Sequence, residues 1–123
     1  MYRPETVSSP DSLIQMGLLG EAVDRAPVGV LVADESMRYI AANTFVCDLL
    51  GYERGELLGL RVTDVARTPT ASTEYAEMIR NGVRHGTIAL TRQDGSTVDV
   101  TYRASETSVA GMTLYVSVLW PAD

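Results

Sequence analysis

Few side chains in this 123-residue sequence are of the types that make and break bonds. It has one histidine, His85, and one cysteine, Cys47. A Ser-His-Asp or Cys-His arrangement would have to use His85, and no nucleophile stands beside it in sequence. A histidine without partner ligands is a poor metal site, so His85 reads as an exposed loop imidazole at the entrance to a strand. A single cysteine excludes an intrachain disulfide and a cysteine-based metal cluster. Cys47 sits between Val46 and Asp48 with no arginine or histidine neighbour to lower its pKa, so it reads as a small core residue and not a redox sensor. No glycine-rich phosphate loop of the Walker kind is present. Asp94-Gly95 is hairpin-turn chemistry, not a catalytic acid. The expectation is a protein that is not an enzyme, with no catalytic and no metal-binding residues.

Recognition chemistry is left. Tyr75, Met78 and Ile79 fall on one face of a helix, and with Phe45, Leu49, Leu90 and Tyr102 they form a candidate pocket lining. Such a pocket suits an apolar or aromatic small molecule, with the Tyr75 and Tyr102 hydroxyls as polar handles. The competing reading is a filled core at the same place.

The elements that must position these residues follow from periodicity. Residues 1–10 are polar, contain two prolines and have no period, which predicts a disordered tail. A helix over residues 11–26 carries a stripe of Leu13, Met16, Leu19, Ala22, Val23 and Ala26 and stops at Pro27. Val28 to Ala33 and Arg38 to Ala42 read as strands, followed by Asn43, a favoured helix N-cap. Phe45, Val46, Leu49 and Leu50 make one apolar stripe on a short helix that Gly51 stops as a left-handed C-cap would. Glu56 to Gly59 and Arg61 to Ala66 read as two further short helical segments. Thr68-Pro69 opens a longer helix, with Glu74 and Glu77 early and Arg80 late to complement its dipole, and Gly82 closing it.

From Gly86 the period changes to two. Ile88 and Leu90 lead to the turn at Gln93 to Ser96. Val98, Val100, Tyr102 and Ala104 then alternate with Asp99, Thr101 and Arg103. Thr107 to Gly111 turns the chain again, and Met112 to Trp120 forms the last strand. Leu114, Val116, Val118 and Trp120 are assigned there to the core side, with Tyr115 and Leu119 opposite. The result is an α+β domain: a five-stranded antiparallel sheet with short helices on one face and an N-terminal flanking helix.

The bulk numbers bound the function. The apolar fraction of 46% fits one globular domain. The net charge of −6 argues against phosphate-backbone binding. All ten basic residues are dispersed arginines, which reads as coding bias. No apolar run approaches the roughly 20 residues that span a bilayer, and no signal-peptide pattern opens the chain. A cytoplasmic protein without nucleic-acid or membrane contacts is expected.

The run Ala41 to Val65, AANTFVCDLLGYERGELLGLRVTDV, resembles the central signature of PAS domains: an asparagine closing the second strand, then Gly-Tyr and Glu-Leu-Leu-Gly. The resemblance covers about residues 18–120 and divides the chain into tail (1–10), flanking helix (11–26), PAS core (27–120) and stub (121–123). It implies the sheet order 2-1-5-4-3. It also implies an input module of a bacterial signalling or transcription-regulating protein, acting on a downstream output domain or partner protein. Family members usually continue into an Asp-x-Thr-type motif where Pro121-Ala122-Asp123 stands here, so the output element is expected either to be cut off or to belong to another polypeptide.

The family's cofactors can be checked by position. Val62 stands where photoreceptors of the LOV type have the flavin-reactive cysteine, and Thr63 where they have the phosphate-binding arginine. Thr68 stands near the chromophore-bearing cysteine of photoactive yellow protein. Ser72 replaces the iron-binding histidine of haem PAS domains. Covalent flavin, coumaroyl and haem chemistry are therefore not expected, whereas non-covalent flavin or another small molecule is compatible. The alternative is a ligand-free dimerisation or interaction module with a filled core. A homodimer is expected in either case, through Leu13, Met16, Leu19 and Val23 of the flanking helix and Tyr115 and Leu119 of the last strand.

Overall fold

Glycine and alanine at the ends of Gly29–Ala33 and leucine at its centre give strand β1 three buried positions in alternation. The computed structural model describes residues 10–67 and 80–122. Helix α1 (Pro10–Asp24) comes first, with proline at the first helical position, where its missing N–H costs nothing. After β1 come β2 (Tyr39–Ala42) and three short helices, α2 (Thr44–Leu50), α3 (Arg54–Leu57) and α4 (Val62–Val65). Strands β3 (Val83–Thr91), β4 (Thr97–Val109) and β5 (Met112–Pro121) complete an antiparallel sheet of order β2-β1-β5-β4-β3. Arg80 and Asn81 are helical and Gly82 follows at φ 79. The rest of the expected long helix, with Tyr75, Met78 and Ile79, lies outside the described residues, as do Thr68 and Ser72. No helix among the described residues is long and apolar enough to cross a membrane.

The junction at Asn43 ties the N-terminal elements together. Its buried carboxamide uses both ends. Oδ1 accepts from the backbone N–H of Val30 at 2.9 Å and of Val46 at 3.2 Å. Nδ2 donates to the carbonyls of Val23 and Val28, both at 2.8 Å. One side chain thereby caps α2, pins the entry to β1 and satisfies a carbonyl that the last turn of α1 leaves without an intrahelical partner. Beside it Asp24 accepts from the Thr44 N–H at 3.1 Å and pairs with Arg54, whose Nε also donates to the Ala42 carbonyl at 3.0 Å. At the other end of α2, Gly51 adopts φ 76 and its N–H bonds the Cys47 carbonyl at 2.9 Å. The β3–β4 turn docks there, through Gln93 N–H to the Leu50 carbonyl (2.9 Å) and Arg92 Nε to the Leu49 carbonyl (3.1 Å).

Pairing registers fix which strand residues face the helices. Gly29, Leu31 and Ala33 of β1 oppose Leu119, Ser117 and Tyr115 of β5. Leu119 and Ser117 in turn oppose Tyr102 and Ala104 of β4. Gly29 has no room for a side chain, since a Cβ there would sit 2.7 Å from Leu119 Cδ1. Tyr115 and Leu119 are thus buried on the helical side, at 5% and 3% exposure, while Trp120 is 41% exposed. This reverses the sequence-based assignment, which put Tyr115 and Leu119 on the outer face. The outer residues of β5, Leu114, Val116, Val118 and Trp120, are the more apolar set, and a strand apolar on both faces carries no alternation to read.

Two strand boundaries also differ from expectation. The second turn is only Ala110-Gly111, both at positive φ (51 and 79), so β4 and β5 pair as far as Val109 and Met112. Consecutive left-handed residues match the twist of a two-residue hairpin, and this turn replaces the wider one expected from Thr107. Strand β3 starts at Val83, and His85 lies within it opposite Arg103, exposed on an edge strand and not in a loop.

Candidate functional site

All five strands contribute to a cavity of about 90 Å³ on the helical side of the sheet. Its floor is Leu31 and Ala33 of β1, Tyr115, Ser117 and Leu119 of β5, Val100, Tyr102 and Ala104 of β4, and Ile88 and Leu90 of β3. Tyr39, Val62 and Ala66 close one end, and Arg84 of β3 supplies the one charged group among the described lining residues. Most of the wall belongs to the main apolar core, in which Val46, Leu50, Leu57 and Val65 from the three short helices are fully buried. Among the described residues, the short helices pack over the rest of the sheet and not over this part.

The polar groups in the wall are one guanidinium, which only donates, and hydroxyls, which both donate and accept. Arg84 Nε–H donates to Tyr102 Oη at 3.4 Å in a half-buried position. Burial raises the Tyr115 hydroxyl pKa, reinforced by the negative charges of Glu106 and Glu35, so the phenol is neutral at physiological pH. Ser117 adds a hydroxyl.

Of the seven residues expected to line a pocket, Leu90 and Tyr102 do so. Phe45 and Leu49 are half-buried on α2 but are not in this wall, because α2 turns Val46, Cys47 and Leu50 into the core instead. Tyr75, Met78 and Ile79 fall outside the described residues. Arg84 was not expected: with β3 started at Gly86 it lay outside the strand. Extending the strand by two residues would have placed Arg84 in phase with Ile88 and Leu90. Tyr115 was missed through the inverted face of β5.

The candidate reactive groups stand elsewhere. Cys47 is buried. Its thiol pKa is raised by burial, which outweighs the lowering effect of nearby Arg54 and is reinforced by Asp48, Asp24 and Glu53. A protonated buried thiol is a poor nucleophile. No group of three metal-ligating side chains occurs among the described residues.

No curated protein matches the chain. Solved structures do. A PAS domain from a two-component sensor histidine kinase superposes with a TM-score of 0.82 at 13% identity, over 90% of this chain and 99% of that one. The PAS domain of a Colwellia psychrerythraea protein gives 0.79 at 18%, over 88% and 97%. An RNA-binding light-oxygen-voltage receptor gives 0.77 at 24%, over 98% of this chain and 36% of that one. At such identities the likeness concerns the fold. The family model for the PAS domain matches residues 27–119, which run from the entry to β1 to the end of the buried part of β5. With that match, the asparagine-capped strand-to-helix junction and the 2-1-5-4-3 sheet, the chain belongs to the PAS domain family.

Proposed function

We propose that this domain is the sensory input module of a bacterial signalling or transcription-regulating protein and that it binds a small, single-ring molecule non-covalently in the cavity above the sheet. The supporting observation is the cavity itself: about 90 Å³, apolar over most of its wall, with Arg84, Tyr102 and Ser117 as polar points. Its volume is of the order of the roughly 150 Å³ apolar cavity known to admit benzene. It falls well short of the roughly 300–1,000 Å³ that enclose drug-sized ligands. A single ring fits better than a flavin, and Val62 offers the cavity an isopropyl group and no thiol. No enzymatic role is proposed. Binding would bias the sheet and flanking helix between two packings, and only a difference in affinity for the two can do so.

The test uses benzyl alcohol as probe and Ala104→Leu as a cavity-filling variant. A ligand present at 100 times its Kd stabilises the fold by about 2.7 kcal/mol, visible as a rise in Tm. Wild type is expected to show that rise. Ala104→Leu should fold with nearly wild-type stability and lose the response, since its added carbons occupy open space. If the site is already filled, overpacking costs about 1–3 kcal/mol instead and wild type shows no response to the probe.

A second reading concerns association, and an independent observation favours it. Leu13, Met16, Leu19 and Val23 of α1 are 62%, 62%, 59% and 42% exposed, so this stripe is not buried within its own chain. We infer a homodimer across α1, compatible with ligand binding and also with a ligand-free interaction role. Tyr115 and Leu119 have no part in it, because they face the cavity.

A further inference from the structure

We propose that Asp24, Thr44 and Arg54 form a salt-sensitive latch that fixes the direction in which α1 leaves the domain and thereby controls association through that helix. Its effect on association rests on the homodimer inferred above. The first sign is a carboxylate where α1 by itself does not favour one. Asp24 is the last residue of α1, at the negative end of the helix dipole, and no basic residue stands in that turn. Its partners lie off the helix instead. It accepts from the Thr44 N–H at the start of α2 and from the Thr44 hydroxyl, each at 3.1 Å, and from the Arg54 guanidinium.

Arg54 closes the latch from α3. Its Nε–H donates to the Ala42 carbonyl at 3.0 Å and an Nη2–H donates to Thr44 Oγ1 at 3.1 Å, so one planar fork ties the end of α1 to β2 and α2. Asn43 grips a single carbonyl of α1, that of Val23. One such bond is a pivot, and a second attachment at Asp24 sets an angle. Residues Leu13 to Val23 are all exposed, so the packing of this stretch does little to set it. The Arg54 and Asp24 side chains are 47% and 41% exposed, within reach of dissolved ions. Dimerisation needs both copies of α1 in the right direction, so the apparent dissociation constant varies as the inverse square of the latched fraction. A latch that shifts this fraction about threefold, the scale of an exposed ion pair, changes the constant about tenfold.

Hydrogen exchange of the α1 amides, followed by mass spectrometry in the monomeric Leu19→Glu background, tests the latch apart from the dimer. Arg54→Ala should speed α1 exchange about threefold at about 0.1 M NaCl and leave β4 and β5 unchanged. Asp24→Asn should act in the same direction, and Arg54→Lys, which keeps the charge without the fork, should fall between. At about 1 M NaCl the parent should exchange as fast as Arg54→Ala, whose own rate salt leaves alone. With Leu19 restored, sedimentation should give Arg54→Ala a dimer dissociation constant about tenfold above that of wild type. Unchanged α1 exchange in Arg54→Ala would overturn the latch whatever the oligomeric state. Faster exchange with an unchanged dissociation constant would overturn its control of association. A monomeric wild type would overturn the dimer reading and that control with it, and exchange alone then decides the latch. Should Arg54→Ala fail to fold, Asp24→Asn carries the test: it keeps an acceptor for Thr44 and loses the charge, and exchange equal to the parent's at low salt would overturn the proposal.

Discussion

Asn43→Ala is expected to destabilise the domain by about 3–5 kcal/mol, a large share of the roughly 5–15 kcal/mol that holds a domain folded. The variant strips partners from two N–H groups, of Val30 and Val46, and from the Val28 carbonyl, while the exposed Val23 carbonyl keeps the Ala26 N–H at 3.3 Å. Each such group left buried without a partner costs about 1–3 kcal/mol, and relaxation recovers part of the sum. Asn43→Asp separates the two halves of the role. The aspartate keeps the acceptor that caps α2 but loses both N–H donors and sets a negative charge against two carbonyl oxygens. It should lie between wild type and Asn43→Ala. Repulsion raises its folded-state pKa above the unfolded value, so Asn43→Asp should lose stability as pH rises through the carboxylate range. Urea denaturation of the three proteins at two pH values checks the order, and an Asn43→Ala midpoint equal to wild type would refute the assigned role.

The second large effect concerns assembly. Leu19→Glu in α1 should convert a dimer into a monomer while leaving the fold intact. Leu19 is 59% exposed in the single chain, so a carboxylate there costs the monomer little. Across a dimer interface the same carboxylate would be buried without a counter-charge, which costs several kcal/mol and raises the dissociation constant about a hundredfold or more. The helix is suited to association because its apolar residues are not confined to one stripe. Ile14 and Leu18 are 63% and 65% exposed alongside Leu13, Met16 and Leu19. Stable dimers bury roughly 1,200–2,000 Å², and a helix pair of this length needs help from the outer sheet face to reach it, where Trp120 stands exposed. Light scattering should give twice the chain mass for wild type and the chain mass for Leu19→Glu, as also for a deletion of residues 1–26. A wild type that is monomeric at high micromolar concentration would remove the dimer from the account.

How much of this was legible in the sequence depended on whether the determining chemistry was local. Asn43, Gly51 and Asp94-Gly95 each announce a backbone need of their own residue, and each was found where expected. The Asp94 carboxylate even accepts from the Ser96 N–H at 2.9 Å and from its hydroxyl at 2.6 Å, a self-contained turn. The two faces of strand β4 are legible because Asp99 and Arg103 mark the outer one, whereas its end at Val109 is not. Those of strand β5 are not, because valines and Trp120 on one side outweigh Tyr115, Ser117 and Leu119 on the other, and its orientation is set by β1 and β4. Ala110-Gly111 was blurred by the neighbouring Thr107 and Ser108, which also favour turns. For the cavity, sequence pattern supplied Leu90 and Tyr102 but not Arg84, whose contribution depends on a strand boundary and on register. Phe45 and Leu49 were misplaced since a helix stripe shows which residues share a face and not what that face meets.

The central claim is that the space above the sheet is a ligand site, and methyl-resolved NMR titration with benzyl alcohol tests it most directly. The account predicts saturable shifts confined to methyl groups in the cavity wall, namely those of Leu31, Val62, Ile88, Leu90, Val100 and Leu119, with Leu13 and Leu19 on the exposed helix unmoved. Shifts that never saturate, or that fall on the α1 methyls and spare Leu90, Val100 and Leu119, would contradict it.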